Sequence, residues 1–557
     1  MTSTKEDTGN NILHGSLGDL FEYACRKYGN NGFLYFINGG GYTYGEFHAR
    51  TVEVSAMLSR YGIGADDKVG ILSQNMPNWA VAYFATSAFG RISVPMLPDF
   101  SESDIKHILK HSECKALFVS AKLLGKVHQK AFDRLQTIIL LDDFSIVKGE
   151  TAAEAAPGRR PEEASPESLA SIIYTSGTTG SSKGVMLSHR NLCANLFSAQ
   201  KLRPSFETDV WLSLLPLSHT LECSLSLLLP MHAGGSVYYI DKAPTPTILA
   251  KALSAVKPTT ILSVPLIIEK LYKVSVLPKL KKNRTASILY SIPPFRKLMN
   301  RMAGKQLVEK FGGRIRFFGI GGARLDPAVE KFLIEARFPY AIGYGLTETS
   351  PLIAGAIPEM VRLGSTGPIV HGVKVRLADK NPETGIGEIL VKGDNVMMGY
   401  YRNPEATAAA FTDDGWFRTK DLGRFDKDGW LYIKGRTNST IIGPNGENIY
   451  PEEIESVINS HDMVEESVVT QRKGKLIALI HFNADKLKAF LEPKDGSIKS
   501  AHEKLLNLKQ EIMEYVNQKV SRFSKINGID EQKDGFEKTA TKKIKRYLYE
   551  DKDKDRR

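Results

Sequence analysis

Acidic residues are in deficit, cysteines are few, and no apolar run is long and unbroken. Against 74 Lys and Arg stand 62 Asp and Glu, a formal net charge of +12. That balance argues against a strongly basic partner but selects none among nucleic acid, a membrane surface and anionic small substrates. The four cysteines, Cys25, Cys114, Cys193 and Cys223, show no Cys-x-x-Cys spacing, which argues against a disulfide frame or structural zinc and for a reducing, cytoplasmic setting. Met1 to Asn11 is polar, without the basic and apolar regions of a secretory signal. Cys223 to Ile240 lacks formal charge but is broken by Pro230, His232 and Gly234-Gly235. A spanning helix needs about 20 mostly apolar residues, so this stretch reads as a buried helix, a turn and a strand.

What is present is enough chain for two or more separately cored domains, 557 residues with 42% hydrophobic content. Thr43 and Glu46 stand in capping-box spacing before an apolar stripe at Phe47, Val54, Leu58 and Tyr61, and Gly62 closes that helix. Strand signals at Lys68 to Ser73, Ile92 to Pro95 and Ala116 to Ser120 alternate with helices at Trp79 to Phe89 and Ile105 to His111. This rhythm predicts an α/β fold: crossover units and a largely parallel, helix-covered sheet. Thr151 to Glu167 is rich in Ala, Glu and Pro and reads as an exposed connection. Composition shifts again near Arg436, where glycine turns, a helix opened by Pro451-Glu452-Glu453 and a lysine-rich tail predict a small separate domain.

The most informative segment is Tyr174-Thr-Ser-Gly-Thr-Thr-Gly-Ser-Ser-Lys-Gly184. Small residues there permit a tight backbone, and hydroxyls with Lys183 suit phosphate. The pattern departs from G-x-x-x-x-G-K-S/T, because Lys183 follows Ser182 and precedes Gly184. Strand-like residues on both sides predict a loop joining two strands rather than one opening a helix, which disfavours a GTPase-type site. A flexible Gly/Ser/Thr hairpin is the plain alternative. Gly343-Tyr-Gly-Leu-Thr-Glu-Thr349 puts an aromatic ring, a hydroxyl and a carboxylate in one turn, the groups that stack a base, bond a phosphate oxygen and hold Mg2+, for which one protein carboxylate suffices. Asp421 and Arg436 offer a carboxylate for ribose hydroxyls and a guanidinium beside it. Each motif alone also fits an ordinary surface turn.

Together and in this order, these motifs resemble the adenylate-forming superfamily of acyl-CoA synthetases, luciferases and peptide-synthetase adenylation domains, from about Phe21 to Tyr547. The resemblance implies a large N-terminal AMP-binding and acyl-binding domain, 1–437, and a small mobile α+β C-terminal domain, 438–557, joined by a hinge at Asn438. It implies ATP contacts from Thr175, Ser176, Gly177, Thr178, Thr179, Gly180 and Lys183, adenine stacking by Tyr344 beside Gly345, and a site wall at Gly321, Gly322 and Ala323. Thr347 would meet the α-phosphate, Glu348 would bind Mg2+, and Asp421 with Arg436 would hold the ribose. Glu537-Lys-Thr-Ala-Thr-Lys-Lys543-Ile-Lys-Arg546 matches P-K-T-x-x-G-K-I-x-R, with Glu537 for proline and Lys542 for glycine. The match makes Lys543 the catalytic lysine, with Lys542 the alternative assignment.

Pro216-Leu-Ser-His219-Thr-Leu-Glu222 resembles the segment whose histidine or aromatic borders the acyl pocket, Lys257 to Pro265 with Glu269-Lys-Leu-Tyr272 looks like the long-chain branch, and the Lys538 to Arg546 run looks like that of bacterial long-chain fatty acid ligases. The implied activity is AMP-forming acid-thiol ligation: a medium- or long-chain fatty acid, ATP and coenzyme A. Transfer to a carrier protein and a non-catalytic scaffold on the same fold are the alternatives, and no nucleic-acid-binding motif is present. Pro278 to Arg301 mixes Lys and Arg with apolar residues, which a solvated helical face or peripheral contact with an anionic membrane would each explain.

Overall fold

A computed structural model describes residues 12–156, 158–175, 182–242, 245–443, 447–472, 474–492, 498–539 and 543–550. Local chemistry starts the Tyr44 helix where the sequence predicts, and the next two begin two and three residues earlier than expected, at Pro77 and Glu102. The side chains of Thr43 and Glu46 cap each other's backbone at the head of helix Tyr44–Arg60, and Gly62 follows in the left-handed region at φ 77°. Helices Pro77–Ser87 and Glu102–Ser112 and strands Lys68–Leu72, Ile92–Met96 and Ala116–Val119 continue the alternation.

Among the described residues the large domain holds two eight-stranded sheets. One runs, in spatial order, Leu352–Gly355, Tyr340–Gly345, Phe317–Ile320, Thr260–Ser263, Val210–Ser213, Ser236–Tyr239, Gly32–Phe36 and Gly41–Thr43. The other runs Gly399–Tyr400, Lys183–Ser188, Leu169–Thr175, Ile92–Met96, Lys68–Leu72, Ala116–Val119, Thr137–Leu140 and Ile146–Lys148. Interior pairs of both are parallel and antiparallel pairs lie toward the margins, as crossover units covered by helices require. Phe33, Trp211 and Val237 of the first sheet share one apolar core with Ile71, Phe118 and Ile173 of the second and with Leu20, Phe47, Trp79 and Leu196 from four helices. Fully burying each such side chain contributes about 1.5–3 kcal/mol. That core fixes the two sheets against each other, and with them the strand ends that carry the site.

Cys223 to Ile240 forms a helix, a turn and strand Ser236–Tyr239, as expected. Pro230 does not stop the helix, because a π-helical segment, Ser224–Leu228, precedes it and restarts the hydrogen-bond ladder with proline in the first turn. The expected exposed connection Thr151 to Glu167 is corrected in its second half. Pro161 and Ala164 are buried, and the Gly18 backbone packs so tightly on Pro161 that an added Cβ would sit 2.0 Å from its carbonyl oxygen. Alanine and proline here fill a joint between elements, which composition alone cannot distinguish from an open linker.

A four-stranded antiparallel sheet, Lys374–Ala378, Gly387–Lys392, Phe417–Phe425 and Leu431–Arg436, comes next. Beyond it, strands Val464–Arg472, Lys475–Phe482 and Gly528–Glu531 pack with helices Pro451–Asn459 and Ile498–Asn517 around a separate core that includes Ile454, Ile458, Ile480 and Ile512. The fold is a large domain of helix-covered, mainly parallel sheets with a C-terminal domain. No described helix is long and apolar enough to cross a membrane.

Candidate active site

The two strands around the Gly/Ser/Thr segment pair antiparallel, with Thr175 opposite Lys183 and Tyr174 opposite Gly184. The segment therefore joins two strands, as its flanks predict. Ser176, Gly177, Thr178, Thr179 and Gly180 lie outside the described residues.

Tyr400 ties this hairpin to the Tyr-Gly-Leu-Thr-Glu turn. Strand Gly399–Tyr400 adds to the hairpin's edge, Tyr400 opposite Val185, and the Lys183 ammonium lies 5.1 Å from the centre of the Tyr400 ring. The Tyr400 hydroxyl donates to Glu348 Oε1 at 3.0 Å. Burial, then the Glu348 charge, raise the phenol's pKa, so it remains a neutral donor. Gly399 has φ 139° and a Cβ there would lie 2.7 Å from Thr407, so glycine is needed to bring Tyr400 in. Sequence reasoning missed Tyr400; its signal is the isolated glycine ahead of an aromatic pair, which marks a close backbone approach.

Glu348 and Thr347 share the single 3₁₀ turn Thr347–Thr349 and are both partly buried. The preceding Gly345 lies against Pro351, where a Cβ would sit 1.7 Å from the carbonyl oxygen. Asn395 secures the turn by donating to the Thr349 carbonyl at 2.9 Å. Upstream, the Tyr344 hydroxyl donates to Asp421 Oδ2 at 2.8 Å, and Arg436 Nε donates to Asp421 Oδ1 at 3.0 Å. Asp421 and Arg436 face each other across neighbouring strands, and Asp421 is only 5% exposed. Lys420 sits in the left-handed region at φ 59°, a local strain that turns the chain just before the carboxylate. Each Asp421 oxygen has accepted one donor and retains a second lone pair.

Lys543 completes the cluster. Its segment folds back on itself, with Lys538 bridged to Ile544, Thr539 N donating to the Lys543 carbonyl at 2.8 Å and Lys545 N to the Glu537 carbonyl at 2.8 Å. Arg546 pairs with the buried carboxylate of Glu455 and ties the segment to helix Pro451–Asn459. Lys543 is exposed as a whole residue, yet protein crowds its ammonium. Desolvation, then the Arg436 charge, lower its pKa from the usual lysine value, while Asp421 and Glu348 oppose that shift. Lys542, the alternative assignment, lies outside the described residues.

His219 caps the helix beginning at Thr220, its Nδ1 accepting from Leu221 N at 3.2 Å, so the neutral ring carries its proton on Nε2. Burial and then the charge of Lys543 push its pKa down to about 4. Gly321, Gly322 and Ala323 follow strand Phe317–Ile320; Gly322 has φ 85°, and a Cβ on Gly321 would come 3.2 Å from Leu221. Asn438 is exposed in the turn Thr437–Ser439 between the two domains. Glu348, Asp421, Arg436, Lys543 and His219 thus fall in one cluster of interacting groups, with Tyr344 bonded to Asp421 and Lys183 joined to Glu348 through Tyr400.

The fold defines the class: a mixed α/β protein with a large domain of mainly parallel sheets and a C-terminal domain whose Lys543 joins the Glu348, Asp421 and Arg436 cluster. Residues 21–401 match the AMP-binding enzyme family and residues 438–552 the AMP-binding enzyme C-terminal domain. Long-chain-fatty-acid–CoA ligase FadD15 of Mycobacterium bovis is 30% identical over 463 residues, covering 76% of this chain and 74% of the relative. 4-Coumarate–CoA ligase 2 of Nicotiana tabacum is 28% identical over 472 residues, covering 79% of each. The solved structure of O-succinylbenzoate coenzyme A synthetase from Bacillus subtilis with AMP superposes with a TM-score of 0.75 at 24% identity, covering 96% of this chain and 98% of that one. The chain belongs to the AMP-binding enzyme family.

Proposed function

We propose that this acyl-CoA ligase activates a medium- or long-chain fatty acid as an acyl-adenylate and then transfers the acyl group to coenzyme A. The observation that carries this reading is Lys543 of the small domain lying close enough to Glu348, Asp421, Arg436 and His219 for their charges to act on one another. A carboxylate attacking the α-phosphate of ATP brings two anions together, and fixed cations aimed at that point offset the repulsion. Asp421 receives the ribose hydroxyls on its remaining lone pairs, held in place by Tyr344 and Arg436. Glu348, oriented by Tyr400, is the carboxylate that would hold Mg2+, which neutralises phosphate charge when bound. The acid's carboxylate oxygen attacks the α-phosphate, pyrophosphate leaves, and the mixed anhydride accepts the coenzyme A thiol with AMP as leaving group.

The fatty acid is supported by the names of relatives such as FadD15 and by Leu221, the apolar side chain at the wall beside Gly321. A neutral His219 adds no charge to that wall. ATP–pyrophosphate exchange and coenzyme A consumption across straight-chain acids of increasing length, with 4-coumarate as comparator, test the reading. Strongest turnover with the longer fatty acids is expected. Preference for 4-coumarate, or exchange without coenzyme A consumption, overturns it.

A further inference from the structure

Between Lys270 and Val308 the chain carries ten Lys and Arg and no Asp or Glu, a concentration comparable to the whole protein's net charge of +12. The structure places much of this stretch on helices Arg284–Ser291 and Pro293–Lys310. The inner stripe of the longer helix is occupied: Arg296 and Asn300 bond Glu335, a Cβ on Gly304 would sit 2.2 Å from the Ala336 carbonyl oxygen, and Leu307 is buried. At 3.6 residues per turn, Leu298 and Met302 project from the opposite side. They are 58% and 60% exposed, and Phe295, Ile288 and Ile292 beside them are 48%, 57% and 39% exposed. Lys297, Arg301 and Lys305 interleave with them and are exposed.

Scattered exposed apolar residues need no explanation, but four on two consecutive helices and Ile292 at the bend between them, set among cations with no acidic residue between Lys270 and Val308, form a surface of definite chemistry. We propose that this face docks on an anionic lipid bilayer, Phe295, Leu298 and Met302 entering the headgroup boundary while Lys297, Arg301 and Lys305 meet lipid phosphates. Charge complementarity selects the occupant. Long cations beside apolar side chains satisfy both layers of such an interface at once, whereas an acidic protein would answer the charge and leave the apolar residues unmatched. The docking does not rest on which acid the enzyme activates.

Flotation of the full chain with phosphatidylcholine vesicles, with and without phosphatidylglycerol, tests it. Wild type should float with the phosphatidylglycerol vesicles, weakly with phosphatidylcholine alone, and less as salt rises. Lys297→Glu/Arg301→Glu should lower the apparent affinity for the anionic vesicles by about tenfold or more, and Leu298→Ser/Met302→Ser should weaken flotation at every salt concentration. Both pairs of exposed substitutions should leave acyl-CoA formation from a dissolved short-chain acid unchanged, which shows that the protein is folded. No flotation by wild type, equal flotation with both vesicle types, or variants that float like wild type would each overturn the proposal.

Discussion

Lys543 owes its position to contacts made by its neighbours, above all the Arg546 pair with Glu455 and the fold-back between Lys538 and Ile544. Under the proposed function its ammonium would meet the reacting phosphate. Lys543→Ala should cut ATP–pyrophosphate exchange on the order of 10²–10³-fold, the usual effect of losing one preorganised electrostatic donor. Thiol transfer from a supplied acyl-adenylate should survive, and an equal fall in both steps would contradict the assignment. Glu222 makes a different kind of prediction. It is fully buried, accepts from Ser213 Oγ at 2.6 Å, and burial pushes its pKa up to about 8. A folded-state value above the unfolded one means that its contribution is fully present below about 4.5 and is lost as pH rises through about 8. Glu222→Gln should therefore raise the melting temperature at pH 8, by about 1–3 kcal/mol of stability, and change little near pH 4. A variant less stable at pH 8 than wild type would show that the ionised form is the one the fold holds.

At the scale of elements, the turn Thr437–Ser439 is the chain connection between the antiparallel sheet and the C-terminal core. Thr437 Oγ1 donates to the Lys420 carbonyl at 3.2 Å and Thr440 Oγ1 to the Arg436 carbonyl at 2.8 Å. If the small domain rotates here between the two half-reactions, a few backbone dihedrals absorb the motion. Proline at Asn438 would fix one of them near −65°. Asn438→Pro should keep adenylate formation within severalfold and lower thiol transfer tenfold or more, measured as separate half-reactions; retained transfer would place the pivot elsewhere. The elements most legible in the sequence are those set by local chemistry, such as the Thr43–Glu46 cap or the hairpin announced by apolar runs on both sides of Gly177. Less legible are contacts made by tertiary approach. Tyr344 and Asp421 meet across 77 positions, the strand presenting Asp421 fills its buried alternate positions after Phe417 with Thr419, Asp421 and Gly423 rather than apolar residues, and Tyr400 looks like any strand aromatic until it lies beside Glu348. Pro161 and Ala164 read as linker because burial depends on what packs against them.

At the scale of the whole molecule, the two domains also meet away from the Lys543 cluster, around a cavity of about 440 Å³ lined by Tyr272, Lys273, Arg296, Asp326, His461 and Tyr515 among others. Lys273 crosses this joint. Its ammonium donates to the Asn459 carbonyl at 2.9 Å and lies 3.4 Å from Asp326. Asn459 ends helix Pro451–Asn459, and Asp326 caps helix Pro327–Ala336, so one cation serves a helix C-terminus in the small domain and a capping carboxylate in the large one. Such a contact favours the arrangement in which Lys543 reaches Glu348 and must break if the small domain turns away. A partly buried cation at a helix C-terminus contributes up to about 2 kcal/mol. Lys273→Met should therefore slow pyrophosphate release by about 5–30-fold, since 1.4 kcal/mol is tenfold, and leave acyl transfer from a supplied adenylate unchanged or faster. Rapid-quench measurement of each half-reaction, with the melting temperature as a control for folding, distinguishes a domain latch from a general structural contact, because the latter would depress both steps together.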